Sequence, residues 1–135
     1  MIETMLKINI NSSSRYPIDR KRMKRKIEKV LKKHGVVEGI ELGVFVIGDR
    51  KMVGLNKKFM KKEGTTDVLS FPMTNQGDDL GFVEPSEIER LYLGDIFVSF
   101  PQARKQAAEG SLLVDEEIDK LVEHGVLHLL GKHHD

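Results

Sequence analysis

"IELGVFVIGDRKMVGLNKKF", residues 40–59, decides the fold. Its opening "IELGVFVI" (40–47) is rich in branched apolar side chains and places Leu42, Val44 and Val46 on one side, which predicts a central strand. Asp49 can cap a helix in which Met52, Leu55 and Phe59 keep helical spacing, and Gly64 offers it a stop.

Toward the N-terminus, "TMLKINI" alternates Leu6, Ile8 and Ile10 and predicts a first strand, followed by the loop "NSSSRYP". From Pro17 to His34, the residues Met23, Ile27, Val30, Leu31 and His34 fall on one helical face, with Gly35 as the stop. By that spacing His34 is a packed or half-buried histidine. Toward the C-terminus, "DVLSF" (67–71) is short, apolar and closed by Pro72, a third strand. Residues 73–90 carry Gly77, Asp78, Asp79, Gly81 and Pro85, a long polar excursion of the kind that is usually functional or mobile. "LYLGDIFVSF" (91–100) predicts a fourth strand, Pro101–Glu109 a short helix ended by Gly110, and a last helix runs from near Ser111 to Gly131. That last helix buries Val114, Ile118, Leu121, Val122 and Leu129. The order predicts an α+β fold: a mixed sheet of about four strands packed with helices, forming one domain over residues 1–135.

Composition bounds the function. The 135 residues hold no cysteine, which excludes disulfides and thiolate metal sites and favours the cytoplasm. No apolar run reaches the roughly 18–20 residues that span a bilayer, and "MIETMLKINI" lacks the marks of a signal peptide, so no membrane partner is expected. The net charge of +1 conceals a strong asymmetry. Residues 1–67 carry 17 Lys/Arg against 8 Asp/Glu, and residues 68–135 carry 5 against 13. A chain polarised this way can attract a polyanion with one part while the other maintains solubility.

The C-terminal "HGVLHLLGKHHD" (124–135) carries the chemistry. His124 and His128 are four apart on the last helix and point the same way. Gly131 can turn the chain back and bring His134 within reach, so that the spacing H-x-x-x-H-x-x-G-x-x-H has the layout of the long zinc-protease, or metzincin, motif. Neutral imidazoles suit Zn²⁺, and three protein ligands leave a position for water, as in catalytic sites. His133 points elsewhere. The bland alternative, surface histidines near a frayed terminus, does not account for the added glycine and third histidine. The zinc proteases place Glu, the general base, directly after the first His; here that residue is Gly125, and Glu123 points about 100° away, which argues against a peptidase. The catalytic group expected is a metal-bound water held by His124, His128 and His134, whose pKa the metal lowers towards about 7.

"HGVLHLLGKHH" closely resembles the signature of the YbeY family, the bacterial endoribonucleases and ribosomal RNA maturation factors. "LNKKF" (55–59), "TTDVLSFP" (65–72) and "LGDIFVS" (93–99) match three further family blocks in order, so the resemblance runs from about residue 40 to the end. It implies a mixed-sheet α+β fold with a terminal metal-binding helix, with His124, His128 and His134 as ligands of one divalent transition metal, Zn²⁺ foremost. It also implies a single-strand-directed endoribonuclease acting in maturation of the small-subunit rRNA 3′ end and in ribosome quality control. Its partners would be single-stranded RNA, rRNA or the small ribosomal subunit. Two departures stand out. The family normally has Arg after "LNxxF", where this chain has Met60, so cleavage is expected to be weak. Relatives usually continue beyond the third histidine, whereas this chain stops at Asp135.

RNA requires positive charge along its backbone path. Residues 20–33 hold nine Lys/Arg against one acid, Glu28, and Arg50, Lys51, Lys57, Lys58, Lys61 and Lys62 follow on the next helix. Lys24, Arg25, Lys29, Lys57, Lys61 and Lys62 are the RNA-binding candidates, against the plainer reading of a solvated charged face. Thr66 and Ser70, in "TTDVLSFP", are candidates to line the substrate groove, whereas Asp67 and Asp95 suit structural roles as turn and tie residues. With six Phe, two Tyr and no Trp, a broad base-stacking platform is not expected. The competing reading is an RNA- or ribosome-binding factor in which a structural metal pins the last helix and catalysis is slight.

Overall fold

The computed structural model describes residues 6–73 and 91–132. In chain order these form β1 (Lys7–Asn11), α1 (Arg20–Lys33), β2 (Ile40–Ile47), α2 (Asp49–Met60), β3 (Val68–Pro72), β4 (Leu91–Ser99), α3 (Phe100–Glu109) and α4 (Val114–Leu129). The sheet order is β1-β2-β4-β3; β1 and β4 run parallel to β2, and β3 runs antiparallel to β4 at the edge. The architecture is therefore α+β on a four-stranded mixed sheet.

β2 is central, as its composition predicts, because both its faces are covered. Leu42, Val44 and Val46 join Ile96 and Val98 of β4 beneath Met23, Ile27 and Leu31 of α1 and Ile118, Val122 and Val126 of α4. The alternate residues Phe45 and Ile47 face the other way, where Met52 of α2 closes a smaller core with Leu69 of β3. Helices α1 and α4 thus lie on one face and α2 on the other.

Several boundaries differ from those expected. α1 begins at Arg20, not Pro17, because Asp19 caps it by accepting a hydrogen bond from the Arg22 N–H (3.0 Å). His34 is exposed rather than packed: the helix stops at Lys33, and a backbone φ of −101° carries His34 off the apolar stripe. Asp49 is the first residue of α2 and not its cap, which is Gly48. α2 ends at Met60, where Lys61 turns left-handed (φ 58°), before Gly64 is reached. Phe59 and Met60 are 52% and 43% exposed, so the apolar stripe of α2 ends near Leu55 and Met60 is no core residue. Most of the polar excursion, residues 74–90, and His133, His134 and Asp135 lie outside the described residues.

Candidate metal centre

α4 is positioned by its buried stripe. Ile118, Leu121, Val122, Val126 and Leu129 face the sheet, and the acidic first turn Asp115, Glu116 and Glu117 sits at the favourable end of the helix dipole. At Gly125 the helix backbone comes so close to β4 that a Cβ would lie 2.7 Å from Ile96 Cγ2. This contact explains why no glutamate can follow His124: the place where a zinc protease carries its base is filled here by the strand. Glu123 is exposed and points away.

With that stripe inward, the flank carrying His124 and His128 turns outward along one turn of helix. His124 is exposed; His128 is half-buried against the edge strand β3. Ser70 pairs with Ile96 across β3 and β4, and so lies on the face that α4 covers. Its hydroxyl forms a hydrogen bond with His128 Nδ1, joining positions 58 residues apart. An imidazole held at Nδ1 by a hydroxyl is oriented to coordinate through Nε2, the arrangement found behind most histidine metal ligands. His128 therefore fits an expected ligand in chemistry and orientation, and His124 in chemistry and in its place one helical turn before it. The third, His134, lies outside the described residues, among which no group of three metal-binding side chains occurs. Gly131, just past the C-cap Leu130, takes a positive φ (77°), a conformation that ends a helix.

The proposed RNA contacts fall in separate places. Lys24, Arg25 and Lys29 are exposed on α1. Two cations of that run are committed to the fold: Arg22 is ion-paired with Asp119 of α4 (2.9 Å), and Arg20 donates to the Ile10 and Ser12 carbonyls and to the Ser12 hydroxyl. Lys57 is exposed on α2, on the opposite face of the sheet, and Lys61 and Lys62 are exposed just past its end. Thr66 is half-buried, its hydroxyl 3.4 Å from Asp67 Oδ1. Asp67 ties the start of β3 by accepting from the Val68 N–H (2.7 Å) and from Gln106 of α3 (3.0 Å). Asp95 accepts from the Tyr92 hydroxyl; burial, then that hydrogen bond, pushes the Tyr92 pKa up and keeps the phenol a donor. Among these candidates Ser70 reaches a metal-site histidine, His128.

Two features escape sequence reasoning. Asp49 accepts hydrogen bonds from Thr65 (2.9 Å), Ser99 (2.8 Å) and Gln102 (3.2 Å), joining the ends of β2, β3 and β4. Burial pushes this carboxyl up, but the three hydrogen bonds outweigh it and hold it below the usual carboxylate range. The second feature is an aromatic ladder on the α2 side of the sheet. Phe45 stacks on Phe97 (centroids 4.7 Å apart), Phe97 meets Phe71 edge-on (5.7 Å), and Phe71 meets Phe59 (5.3 Å). No local signal marks it, because each ring lies on a different element.

The backbone is similar to the solution structure of a Thermotoga maritima protein, with a TM-score of 0.58, covering 97% of this chain and 75% of that one at 23% identity. That likeness defines the class of fold. Residues 8–135 match the model of the family described as Endoribonuclease YbeY, and the chain belongs to that family. Proteins named Endoribonuclease YbeY from Persephonella marina and Bacillus mycoides are 36% and 35% identical to it, over 87% and 80% of this chain and 71% and 69% of their own lengths. A third, from Aquifex aeolicus, is 38% identical over 73% of this chain and 59% of its own length.

Proposed function

We propose that this chain is a metal-dependent endoribonuclease that cuts single-stranded RNA in the cytoplasm, in maturation of the small-subunit rRNA 3′ end and in ribosome quality control. The observation that carries the reading is the hydrogen bond between the Ser70 hydroxyl of β3 and His128 Nδ1 of α4, which orients one histidine of a pair set one helical turn apart. Family membership supports the same reading, since the relatives are named for endoribonuclease activity.

His124, His128 and His134 would hold one divalent metal, Zn²⁺ foremost, which when bound supplies an activated water and an electrophile for the phosphoryl oxygen. The chain's own residues orient and exclude. Ser70 fixes the His128 ring. Gly125 lets α4 settle on β4, so that the histidine flank sits beside the edge strand. Gly125 leaves no carboxylate at the position directly after His124, where a zinc protease carries its base. Met60, where the family carries Arg, offers the phosphodiester neither a fixed charge nor a paired donor, so cleavage is slow. That departure also favours the second reading, an RNA- or ribosome-binding factor with a structural metal.

Single-turnover cleavage of a single-stranded oligoribonucleotide decides between them. Metal-loaded protein cuts the RNA, and His128→Ala, shown by circular dichroism to remain folded, does not. RNA left intact by protein that retains its metal would establish the binding-factor reading instead.

A further inference from the structure

The sheet has a second candidate site, distant in the fold from the histidines. β1 and β2 are adjacent and parallel, but the chain leaves them in opposite directions: from β1 to α1 on one face, and from β2 to α2 on the other. In open sheets with parallel strands, a crevice opens beyond the carboxyl ends of two such strands, and ligands bind there. This protein has a cavity of about 910 Å³ at that place, between the 12–16 loop and the start of α2. Its size falls within the range of about 300–1,000 Å³ typical of small-molecule pockets.

The lining has two chemistries. Arg15, Arg50 and Lys51 contribute positive charge, and none of them makes an ion pair among the described residues. The one acid in the lining, Asp49, already accepts hydrogen bonds from Thr65, Ser99 and Gln102. The serine hydroxyls of the 12–14 loop add small polar groups. On the other side Phe45 lines the cavity. Its ring is braced from behind by Phe97 at 4.7 Å with only 15° between the planes, and its partner across the strands is Asn11, a short side chain that leaves the space open.

We propose that this crevice binds a nucleoside monophosphate unit, with the base against Phe45 and the phosphate held by Arg15, Arg50 and Lys51. Cations without acid partners select a dianion, and a braced ring selects a flat aromatic group; a nucleotide combines the two on one small molecule. The unit can be a free nucleotide or one residue of an RNA strand. The strand version rests on the endoribonuclease reading; the pocket chemistry does not.

The test uses full-length ¹⁵N-labelled protein carrying His128→Ala, so that cleavage plays no part in the outcome. Adenosine 5′-monophosphate, adenosine, inorganic phosphate and a 5′-phosphorylated single-stranded oligoribonucleotide are titrated separately, following amide shifts. The nucleotide moves the amides of residues 11–16 and 48–51. One base stack is worth roughly 5-fold or more in affinity, so the nucleotide binds at least that much more tightly than inorganic phosphate. The triple variant Arg15→Ser, Arg50→Ser, Lys51→Ser weakens the nucleotide by about 10-fold or more, as expected for lost charge-assisted bonds. Phe45→Leu keeps an apolar filler and brings nucleotide affinity down to that of phosphate. Tighter binding of the oligonucleotide than of the mononucleotide identifies an RNA strand as the source; the reverse identifies a free nucleotide. Equal affinities for nucleotide and phosphate in the parent protein, shifts confined to α4, or nucleotide binding that survives the triple variant would each overturn the proposal. Should Phe45→Leu fail to fold, the triple variant of exposed or loop cations still decides it.

Discussion

Gly125→Ala tests the contact that sets α4 on the sheet. A methyl at residue 125 would sit 2.7 Å from Ile96 Cγ2, 3.1 Å from Cγ1 and 3.2 Å from Cδ1. Ile96 cannot step aside: it is fully buried, β-branched and flanked by Val44 on β2 and Ser70 on β3. The helix must lift, or the strand side chain must leave its rotamer, and overpacking of this kind costs about 1–3 kcal/mol. Replacing glycine by alanine inside a helix gains about 1 kcal/mol, so the net loss is up to about 2 kcal/mol. Gly54→Ala provides the control, because Gly54 lies inside α2 with nothing within 4 Å of its would-be Cβ. It receives the helix gain without the clash. The difference between the two variants in urea denaturation, followed at 222 nm, then isolates the clash at about 1–3 kcal/mol, with Gly125→Ala the less stable. Ile96→Ala should also cost less in the Gly125→Ala background than alone, since the added methyl fills part of the hole. If Gly125→Ala proves as stable as Gly54→Ala, the close approach is absent, and the account of why no glutamate follows His124 fails with it.

Ser70→Ala removes the group that holds His128 Nδ1; it should lower metal affinity by about 10–100-fold in chelator competition while leaving the fold intact, and unchanged affinity would strip Ser70 of any positioning role. Asp49 has a pKa depressed in the folded state, so it contributes stability above the unfolded value of about 3.9 that is lost as pH falls through the lower folded value. Asp49→Asn should therefore destabilise at pH 7 and flatten the loss of stability between about pH 5 and pH 3, and urea midpoints across that range read both effects. Removing Lys24, Arg25 and Lys29 together should flatten the dependence of log RNA affinity on log salt by about 2, at about 0.7 per phosphate neutralised; an unchanged slope would make the α1 surface a solvated face only. Met60 is 43% exposed and can accommodate an arginine. Met60→Arg should raise single-turnover cleavage more than it raises RNA affinity, by a factor of up to about 10²–10³, and a gain confined to binding would place residue 60 outside the catalytic site.

Much of this protein is legible in its sequence, and the legible parts share a reason: they are local. The near-continuous run of branched apolar residues in 40–47 marks a strand covered on both sides, and the spacing of Ile118, Leu121, Val122 and Leu129 marks the buried stripe of α4. His124 and His128 lie four apart, so helical geometry alone puts them on one flank. The errors come where a local pattern meets a boundary. His34 keeps helical spacing, yet α1 stops at Lys33 and leaves it exposed, and Gly64 offers a stop, yet α2 already ends at Met60. Only tertiary structure brings Ser70 to His128 across 58 positions, gathers Thr65, Ser99 and Gln102 around Asp49, or lines four phenylalanines into a ladder. Only tertiary structure, likewise, turns Gly125 from a missing base into a packing requirement. Periodicity records which face of an element is buried, because every residue of the element obeys the same geometry. Which residue of another element meets that face depends on strand order and register, set by the packing of the whole sheet, and no single stretch of sequence carries it.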